Sequence, residues 1–290
     1  MPLALATLGL PGLPLPEALR LAADHGWQGL ELRCAAGEAV HPALDASERR
    51  SAVREFTAAG VVPLTLASYV GLAAPGPDEP VLTALRARLR LAADLGARYL
   101  RVFPHGGACP AAEADRRGAR RLAAVAGQAQ ELGLRVLLET HDSHRSGADV
   151  ARLLAAADHP AVGALWDLMH TWLAGETPAA SHAALGPRLG YLQVKDIAGA
   201  EDITPLPLGA GVLPIAEAVA ALPPDSWVAW EYEAPWHPAA RPLPPLLGDG
   251  ARLLAGLLGA AAADGHDGPG GCHVPGRAGE LSGGHDTFGR

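Results

Sequence analysis

The sequence predicts a single α/β domain, a (β/α)8 barrel in which eight parallel strands are enclosed by an outer ring of helices. Three observations support this. The chain has 290 residues, close to the about 250 residues of a typical barrel of this class. A unit of amphipathic helix, glycine and short apolar strand recurs, as in ADLGARYLRV at 93–102. The unit continues without a change in composition, which favours a closed barrel over an open doubly wound sheet.

Each element follows from the same local signals. A glycine after each helix suits the left-handed conformation that ends helices. The near-continuous apolar runs are typical of parallel strands that are buried on both faces. Strands are predicted at 3–8, 28–33, 61–67, 98–104, 134–140, 161–167, 189–195 and 226–232. Helices are predicted at 15–25, 46–59, 80–95, 113–132, 147–157, 178–186, 213–221 and 246–263. No GxGxxG follows the first strand, which argues against a dinucleotide-binding sheet.

Composition narrows the functional classes. The net charge of −8 does not favour nucleic-acid binding. No apolar run reaches the about 18 residues of a membrane span without proline or charge. The start, MPLALATLGLPGLPLP, lacks the basic region of a signal peptide. The three cysteines lie far apart in sequence, which predicts reduced thiols in a cytoplasmic protein; they are Cys34, Cys109 and Cys272. The barrel is assigned to 1–263, and the glycine-rich segment 264–290 is predicted to be a disordered tail.

One residue stands out by its rarity. The chain has 23 basic residues, of which Lys195 is the one lysine, and it contains no asparagine. Such a bias lets arginine take every position where any positive charge suffices. A lysine that survives it indicates a need for a compact ammonium, because the two side chains are not interchangeable. Lys195 is therefore a candidate catalytic residue.

Polar residues gather where the predicted strands end. In this architecture catalytic groups come from the carboxyl ends of the strands and the loops that follow. The opposite strand ends carry Gly, Val and Ala. The polar residues at the carboxyl ends are Glu31, Arg33, Ser68, Tyr69, His105, Glu139, His141, Asp167, His170, Gln193, Lys195, Glu231 and Glu233. The sequence therefore predicts a functional site on one rim of the barrel.

Strand parity brings part of this set together. Residues two apart on a strand point to the same side. The last four strands thus direct one group each towards a common point, namely Glu139, Asp167, Gln193 and Glu231. Three carboxylates in one dry cavity would repel and raise each other's pKa. A divalent cation removes this conflict, and carboxylate and amide oxygens suit Mg²⁺, Mn²⁺ or a similar ion.

Each of these residues also has a purely structural interpretation. Asp167 would cap the following helix, Gln193 would be a core amide bonded to backbone, and Glu231 would pair with an arginine of the helix ring. Glu31 and Arg33 would form a surface pair, and His105 would be a rim histidine. These readings leave unexplained why four such groups occupy equivalent places on four consecutive strands.

Five motifs together resemble a known family. They are GLELR at 29–33, LLETH at 137–141, WDLMH at 166–170, YLQVKD at 191–196 and WEYE at 230–233. Over residues 1 to about 260, the chain resembles the xylose isomerase-like TIM-barrel superfamily, in particular its sugar phosphate isomerase and epimerase group.

The resemblance implies a site and its cofactor. The ligands of a divalent ion (Mn, Mg or Co) would be Glu139, Asp167, Gln193 and Glu231. His170 would hold a substrate hydroxyl or carbonyl, and the other expected substrate contacts are His141, His105, Glu31, Arg33 and Glu233. Gln193 stands where the family often has histidine. A glutamine ligand occurs in dehydratase members similar to 3-dehydroshikimate dehydratase.

The implied reaction is proton abstraction beside a carbonyl. Glu139 or Glu231 removes a proton from a small polyhydroxy carbonyl substrate, an enediolate forms, and the other carboxylate returns a proton. Lys195 and His170 stabilise the developing oxyanion or protonate a leaving group. The product is that of an isomerase or epimerase acting on a small sugar or sugar phosphate. The alternatives are a dehydratase of a polyhydroxy keto acid and a sugar-binding barrel without turnover. Many relatives pair through their helices, so a homodimer is also an expectation.

Overall fold

Eight parallel strands close into a barrel in the computed structural model, which describes residues 1–264. Within this range the strands are β1 Leu3–Ala6, β2 Gly29–Arg33, β3 Val62–Gly71, β4 Tyr99–Phe103, β5 Arg135–Glu139, β6 Val162–Asp167, β7 Leu189–Val194, β8 Ile197–Gly199, β9 Asp202–Pro205 and β10 Trp227–Trp230. Strands β8 and β9 form a separate antiparallel hairpin, and β10 closes the barrel against β1 and β7. The predicted fold class is confirmed.

A ring of helices surrounds the barrel. Over the described range the helices are α1 Leu15–Asp24, α2 Ala46–Ala59, α3 Asp78–Asp94, α4 Ala111–Glu131, α5 Gly147–Ala157, α6 Leu168–Leu173, α7 Pro178–Leu185, α8 Ile215–Ala220 and α9 Leu247–Asp264. The eight predicted helices are found with ends shifted by up to two residues. Among these helices none is both long enough and apolar enough to cross a membrane. The predicted tail lies outside the described residues, except for Asp264.

Two short elements on the functional rim were not predicted. The hairpin β8–β9 and helix α6 are each too short to show a hydrophobic period. Helix α6 begins because Asp167 accepts hydrogen bonds from the backbone N–H of Met169 (2.8 Å) and His170 (3.3 Å). The structural interpretation of Asp167 as a helix cap is therefore correct, and it places His170 in the first turn above the barrel.

The barrel interior changes from apolar to charged towards the carboxyl ends of its strands. An apolar layer fills the lower part, formed by Ala4, Leu64, Leu137, Leu165, Tyr191, Trp227 and Ala229. Alternation along the strands places the next inward residues above it, for example Glu139 two residues after Leu137 and Gln193 two after Tyr191. The apolar layer seals the lower barrel, so the charged groups above it have one opening to solvent.

A buried arginine of the helix ring fixes the loop from β3 to α3. Arg121 on α4 is fully buried, and its guanidinium donates to Asp78 and to the carbonyls of Leu72, Ala74, Gly76 and Pro77 at 2.8–3.2 Å. All five of these partners are hydrogen-bond acceptors. The loop therefore depends on the five-donor fork of arginine.

Replacement of this arginine is expected to destabilise the fold strongly. Arg121→Leu leaves Asp78 and four carbonyls without their donor, so we expect a loss of about 3–5 kcal/mol in the free energy of unfolding. Urea denaturation measures it. Arg120→Leu is the matched control, because Arg120 also binds Asp78 but is mostly exposed, and should cost at most about 1 kcal/mol. Equal losses in both variants would contradict the anchoring role.

Candidate active site

A cavity of about 320 Å³ opens at the carboxyl ends of the barrel strands. Its volume falls in the range of small-molecule pockets, about 300–1,000 Å³. The lining residues are Leu8, Tyr69, Arg101, Phe103, His105, Glu139, His141, Glu231, Glu233 and Trp236. The rim predicted from the sequence therefore carries a cavity, and six of the polar residues predicted on that rim line it.

Lys195 joins three carboxylates below this cavity. Its side chain is 3% exposed, and its Nζ lies 2.8 Å from Asp167 Oδ2 and donates to Glu231 and Glu233. Burial alone would lower the pKa of Lys195, but these three carboxylates outweigh it and hold the pKa well above its ordinary value. Lys195 is therefore a fixed ammonium. Glu231 pairs with this lysine, and the interpretation that pairs it with an arginine of the helix ring is wrong.

Asp167 serves the helix and the site with different oxygens. Its Oδ1 caps α6, while its Oδ2 faces Lys195 and has no well-aligned hydrogen-bond donor within residues 1–264. Burial raises the pKa of Asp167. The ammonium of Lys195, and after it His170, lower this pKa by a larger amount, so the net shift is downward. Asp167 is therefore an ionised carboxylate with one oxygen directed at the site.

Arg101 is a second buried cation, which the sequence reasoning missed. Its Nε lies 3.1 Å from Glu139 Oε2, and its guanidinium stacks 4.0 Å from the centre of the Phe103 ring. Burial lowers the pKa of Arg101, but Glu139, Glu31 and Glu231 raise it more strongly. Strand alternation could have identified Arg101, because it stands two residues before Phe103 and therefore faces the same side of β4. Because the chain is rich in arginine, a single arginine within a strand did not stand out.

Glu31 lies inside the barrel and not on the surface. It is 1% exposed and accepts hydrogen bonds from the Tyr191 hydroxyl and from Gln193 Nε2 at 3.0 and 3.2 Å. Arg33 instead pairs with Glu38 at 2.6 Å and donates to Tyr69 at the cavity wall. The interpretation of Glu31 and Arg33 as a surface pair is therefore wrong.

Gln193 directs an amide oxygen into the charged interior. Its side chain is fully buried, and its Nε2 faces the Glu31 carboxylate, which accepts hydrogen bonds but cannot donate them when ionised. The opposite atom, Oε1, has no hydrogen-bond partner among the described residues. Gln193 is therefore bonded to a side chain and not to backbone, and its carbonyl oxygen is available to a ligand.

Histidines form the upper wall of the site. The rings of His141 and His170 are 4.2 Å apart, and Phe103 lies 4.4 Å from His141. Burial lowers the pKa of His170 to about 4, although Asp167 opposes the shift, so His170 is neutral at physiological pH. His105 is about half exposed and stacks on Phe103 at 5.2 Å. The upper wall therefore combines neutral His170 with an aromatic surface from Phe103 and the histidine rings.

Asp142 holds the two loops that carry these histidines. It accepts from the His105 backbone N–H at 3.0 Å and lies 3.3 Å from His141 Nδ1. Burial raises the pKa of Asp142, but hydrogen bonds from His141 and Ser143 lower it by a larger amount. The net shift is downward, so the carboxylate is ionised. Both His105 (φ 50°) and Asp142 (φ 34°) adopt the left-handed backbone conformation that non-glycine residues rarely take. Such strain persists where the surroundings fix it, often at functional sites.

The charged layer carries an excess of negative charge. We define this layer as Glu31, Arg101, Glu139, Asp167, Gln193, Lys195, Glu231 and Glu233. Five carboxylates face two cations in it, which leaves three uncompensated negative charges if all are ionised. Burial accordingly raises the pKa of Glu139 and brings that of Glu231 to about 8. Protons or a bound cation must balance the layer.

The donor atoms fit an oxygen-ligated divalent cation, although their spacing is open. Three of the four predicted ligands have a buried oxygen without a hydrogen-bond partner within residues 1–264: Glu139 Oε2, Asp167 Oδ2 and Gln193 Oε1. Lys195 lies between Asp167 and Glu231, so an ion that binds both must share their charge with the ammonium. Among the described residues, the acidic and histidine side chains whose ligand atoms all lie within 4.8 Å are Glu139, His141 and His170.

The raised pKa of Glu231 predicts a pH dependence of stability in metal-free protein. Between its ordinary value of 4.5 and about 8, the folded state keeps a proton that the unfolded state has released. The free energy of unfolding should therefore fall as the pH rises through this window. Denaturant unfolding with a chelator, from pH 5 to 9, measures the slope. Glu231→Gln should show a flatter profile, and identical profiles for variant and parent would contradict the assignment.

Comparisons with known proteins agree with the architecture. A family described as xylose isomerase-like TIM barrel matches residues 19–257, whereas no curated protein matches the chain. Among solved structures, L-ribulose 3-epimerase superposes with a TM-score of 0.78 at 16% identity, covering 95% of this chain and 100% of that chain. These values establish similarity of fold.

Two further solved structures differ from that epimerase in description. The probable 3-DHS dehydratase AsbF from Bacillus anthracis has a TM-score of 0.73 at 16% identity, covering 88% of this chain and 99% of that chain. The IOLI protein, solved with a zinc atom, has a TM-score of 0.73 at 14% identity, covering 91% and 99%. At such identities the similarity again concerns the fold alone.

Proposed function

Since the chain belongs to the xylose isomerase-like TIM barrel family, we propose that it is a divalent-metal-dependent isomerase or epimerase. Its substrate is a small sugar or sugar phosphate with a hydroxyl next to a carbonyl. One observation carries the proposal: two buried carboxylates line the same cavity, Glu139 beside Arg101 and Glu231 beside Lys195. Two acid–base groups at one cavity are what proton removal and proton return require.

The carboxylates move the proton. Burial raises the pKa of Glu139 above its ordinary value and brings that of Glu231 to about 8. A carboxyl group with a raised pKa is suited to proton transfer near neutral pH. One carboxylate takes the proton from the carbon beside the carbonyl. The other returns a proton to the neighbouring carbon in an isomerase, or to the opposite face of the same carbon in an epimerase.

Fixed positive charge supports the oxyanion. Lys195 and Arg101 remain charged throughout, because neighbouring carboxylates raise the pKa of both. Neutral His170 lies beside the site and contributes a hydrogen bond to a substrate oxygen. Groups that are already oriented stabilise developing charge without rearranging during the reaction. His141, His105 and Glu233 line the cavity and position the rest of a polyhydroxy substrate.

A resident cation would occupy the charged layer. Glu139, Asp167, Gln193 and Glu231 would hold it, and it would act as a Lewis acid that acidifies the C–H beside the carbonyl. Mn²⁺ and Mg²⁺ suit these oxygen donors, and Co²⁺ is the third ion that the resemblance implies. The name of the similar L-ribulose 3-epimerase supports sugar epimerisation as the reaction type.

Arg101 favours a second candidate, dehydration of a polyhydroxy keto acid. A guanidinium is the side chain best suited to bind a carboxylate through two parallel hydrogen bonds, and Arg101 lines the cavity. The same enolate, if it expels a β-hydroxyl, gives a dehydratase product. Gln193 in place of the family's histidine, and the name of the similar probable 3-DHS dehydratase, support this candidate.

One experiment tests both candidates. The protein, loaded separately with Mn²⁺, Mg²⁺ and Co²⁺, is incubated in D₂O with a panel of ketoses, their phosphates and polyhydroxy keto acids. Deuterium beside the carbonyl of a recovered sugar supports the isomerase or epimerase. Loss of water from a keto acid supports the dehydratase. Stoichiometric sugar binding with neither exchange nor metal uptake would overturn both in favour of a binding barrel.

A further inference from the structure

We propose that Glu139, His141 and His170 form a second metal site at the top of the charged layer, suited to a transition ion such as Zn²⁺ or Co²⁺. The ligand atoms of these three side chains lie within 4.8 Å of one another. The set shares Glu139 with the oxygen ligands considered above but otherwise uses different residues. The inference extends beyond the proposed reaction, because it depends on which side chains bind an ion and not on a substrate.

The spacing is close to that of a bound site. Two ligands of one tetrahedral zinc, each about 2.0–2.1 Å from the ion, lie roughly 3.4 Å apart. Ligand atoms within 4.8 Å therefore need to approach by about 1 Å or a little more. All three residues lie at or just beyond strand ends, where side-chain rotation supplies such a movement. The three side chains would supply two nitrogens and one oxygen to an ion.

The candidate ligands carry free donor atoms. Neither ring nitrogen of His170 has a hydrogen-bond partner among the described residues, although the side chain is only 14% exposed. The Glu139 side chain is 2% exposed. No well-aligned hydrogen-bond donor among residues 1–264 faces its Oε2, although Arg101 lies nearby. Unpaired polar atoms are costly in a buried site. A bound ion would satisfy a nitrogen and an oxygen together.

Asp142 orients the remaining ligand. It lies 3.3 Å from His141 Nδ1, which leaves Nε2 as the nitrogen free to bind an ion. A carboxylate on the other nitrogen is the usual arrangement of a metal-binding histidine, since it fixes the tautomer and raises the basicity of the ligand. Phe103 supports the same ring at 4.4 Å. The strained loop around Asp142 thus has a specific role.

The two sets of donors select different metals. Carboxylate and amide oxygens favour Mg²⁺ and Mn²⁺, whereas imidazole nitrogens favour Zn²⁺, Co²⁺ and Ni²⁺. Zinc should therefore bind through His141 and His170 even when the oxygen set is disabled. This difference separates the proposed site from the cation of the proposed reaction.

Zinc binding to chelator-stripped full-length protein tests the site. Competition with a chromophoric chelator gives the affinity for Zn²⁺, and the visible spectrum of added Co²⁺ reports nitrogen ligation. His141→Gln and His170→Gln should each weaken zinc binding by at least about 100-fold, and Asp142→Asn by about 10- to 100-fold. Gln193→Leu should retain the parent affinity within about three-fold, because Gln193 is uncharged and its hydrogen bonds go to Glu31. His182→Gln, on α7 of the helix ring, is the control for histidine loss elsewhere.

The outcomes distinguish this inference from the proposed reaction. Parent-like zinc affinity in both histidine variants would overturn the site, as would an equal loss in Gln193→Leu, which would place zinc on the oxygen set. Circular dichroism establishes that each variant is folded, and two independent histidine variants keep the test valid if one is not. Deuterium exchange with Mn²⁺ is measured separately, so failure of either idea leaves the other open to support.

Discussion

Glu231→Gln and Glu139→Gln are each expected to abolish solvent deuterium incorporation beside the substrate carbonyl while the fold survives. Glutamine keeps the shape of glutamate but cannot accept the proton, and loss of a general base costs about 10²–10⁴-fold in rate. Both carboxylates are at most 4% exposed, so water cannot readily replace them. Mass spectrometry of substrate recovered from D₂O measures the exchange, and thermal unfolding checks the fold.

Glu233→Gln is the matched control for this result. Glu233 also contacts Lys195 and lines the cavity, so its loss removes an ion pair without removing either proposed base. Burial raises the pKa of Glu233, but Lys195 lowers this pKa by a larger amount. Glu233 is therefore a poor proton acceptor near neutral pH. We expect exchange to persist in this variant at a reduced rate. Retained exchange in both Glu139→Gln and Glu231→Gln would end the proton-abstraction scheme.

The sequence was sufficient to predict the barrel because each repeat carried its own signals. Amphipathic helices that end at glycine, followed by apolar strands, located the eight barrel strands to within four residues at their ends. Alternation correctly brought Glu231 and Glu233 together, since both accept from Lys195, whereas Gln193 donates to Glu31 and shares no hydrogen-bond partner with Lys195 among residues 1–264. Helix α6 and the hairpin β8–β9 were not predicted, because a six-residue helix and strands of three or four residues are too short to show a reliable hydrophobic period.

The partners inside the charged layer were beyond the reach of sequence. Glu31 and Gln193 are 162 positions apart and meet across the closed barrel. Such a contact depends on side-chain length and on barrel closure, not on any local pattern. A divalent cation is also not needed to balance all of the carboxylates, because Arg101 and Lys195 supply part of the positive charge. The structure therefore makes the cation one of several balancing charges.

Lys195 is expected to have the other large effect. Lys195→Met leaves Asp167, Glu231 and Glu233 buried without their shared cation, so metal-free protein should lose about 3–5 kcal/mol in the free energy of unfolding. The rate should also fall by about 10²–10³-fold, the usual cost of losing a group that stabilises an oxyanion. Lys195→Arg should recover part of the stability but little activity, since a guanidinium is not a compact point charge.

Manganese separates the structural role of Lys195 from its catalytic role. Without the ammonium, the position between Asp167 and Glu231 is free for an ion, so Mn²⁺ should raise the melting temperature of Lys195→Met more than that of the parent. It should not restore the rate if Lys195 stabilises the oxyanion. Full restoration of activity by Mn²⁺ would show that Lys195 only balances the charge of the carboxylates and does not stabilise the oxyanion.

Because Lys195 is the one lysine of the chain, lysine labelling with ¹⁵N and ¹³C gives a single side-chain signal by NMR. Three carboxylates raise the pKa of this ammonium well above its ordinary value despite its burial, so in metal-free protein the signal should stay protonated through pH 10.5. Titration of Zn²⁺ into Asp167→Asn should shift it little, whereas Mn²⁺ should broaden it in the parent through paramagnetic relaxation. A lysine that titrates at its ordinary pKa would show that the carboxylates do not surround it in solution, and the charge balance proposed for the site would then be wrong.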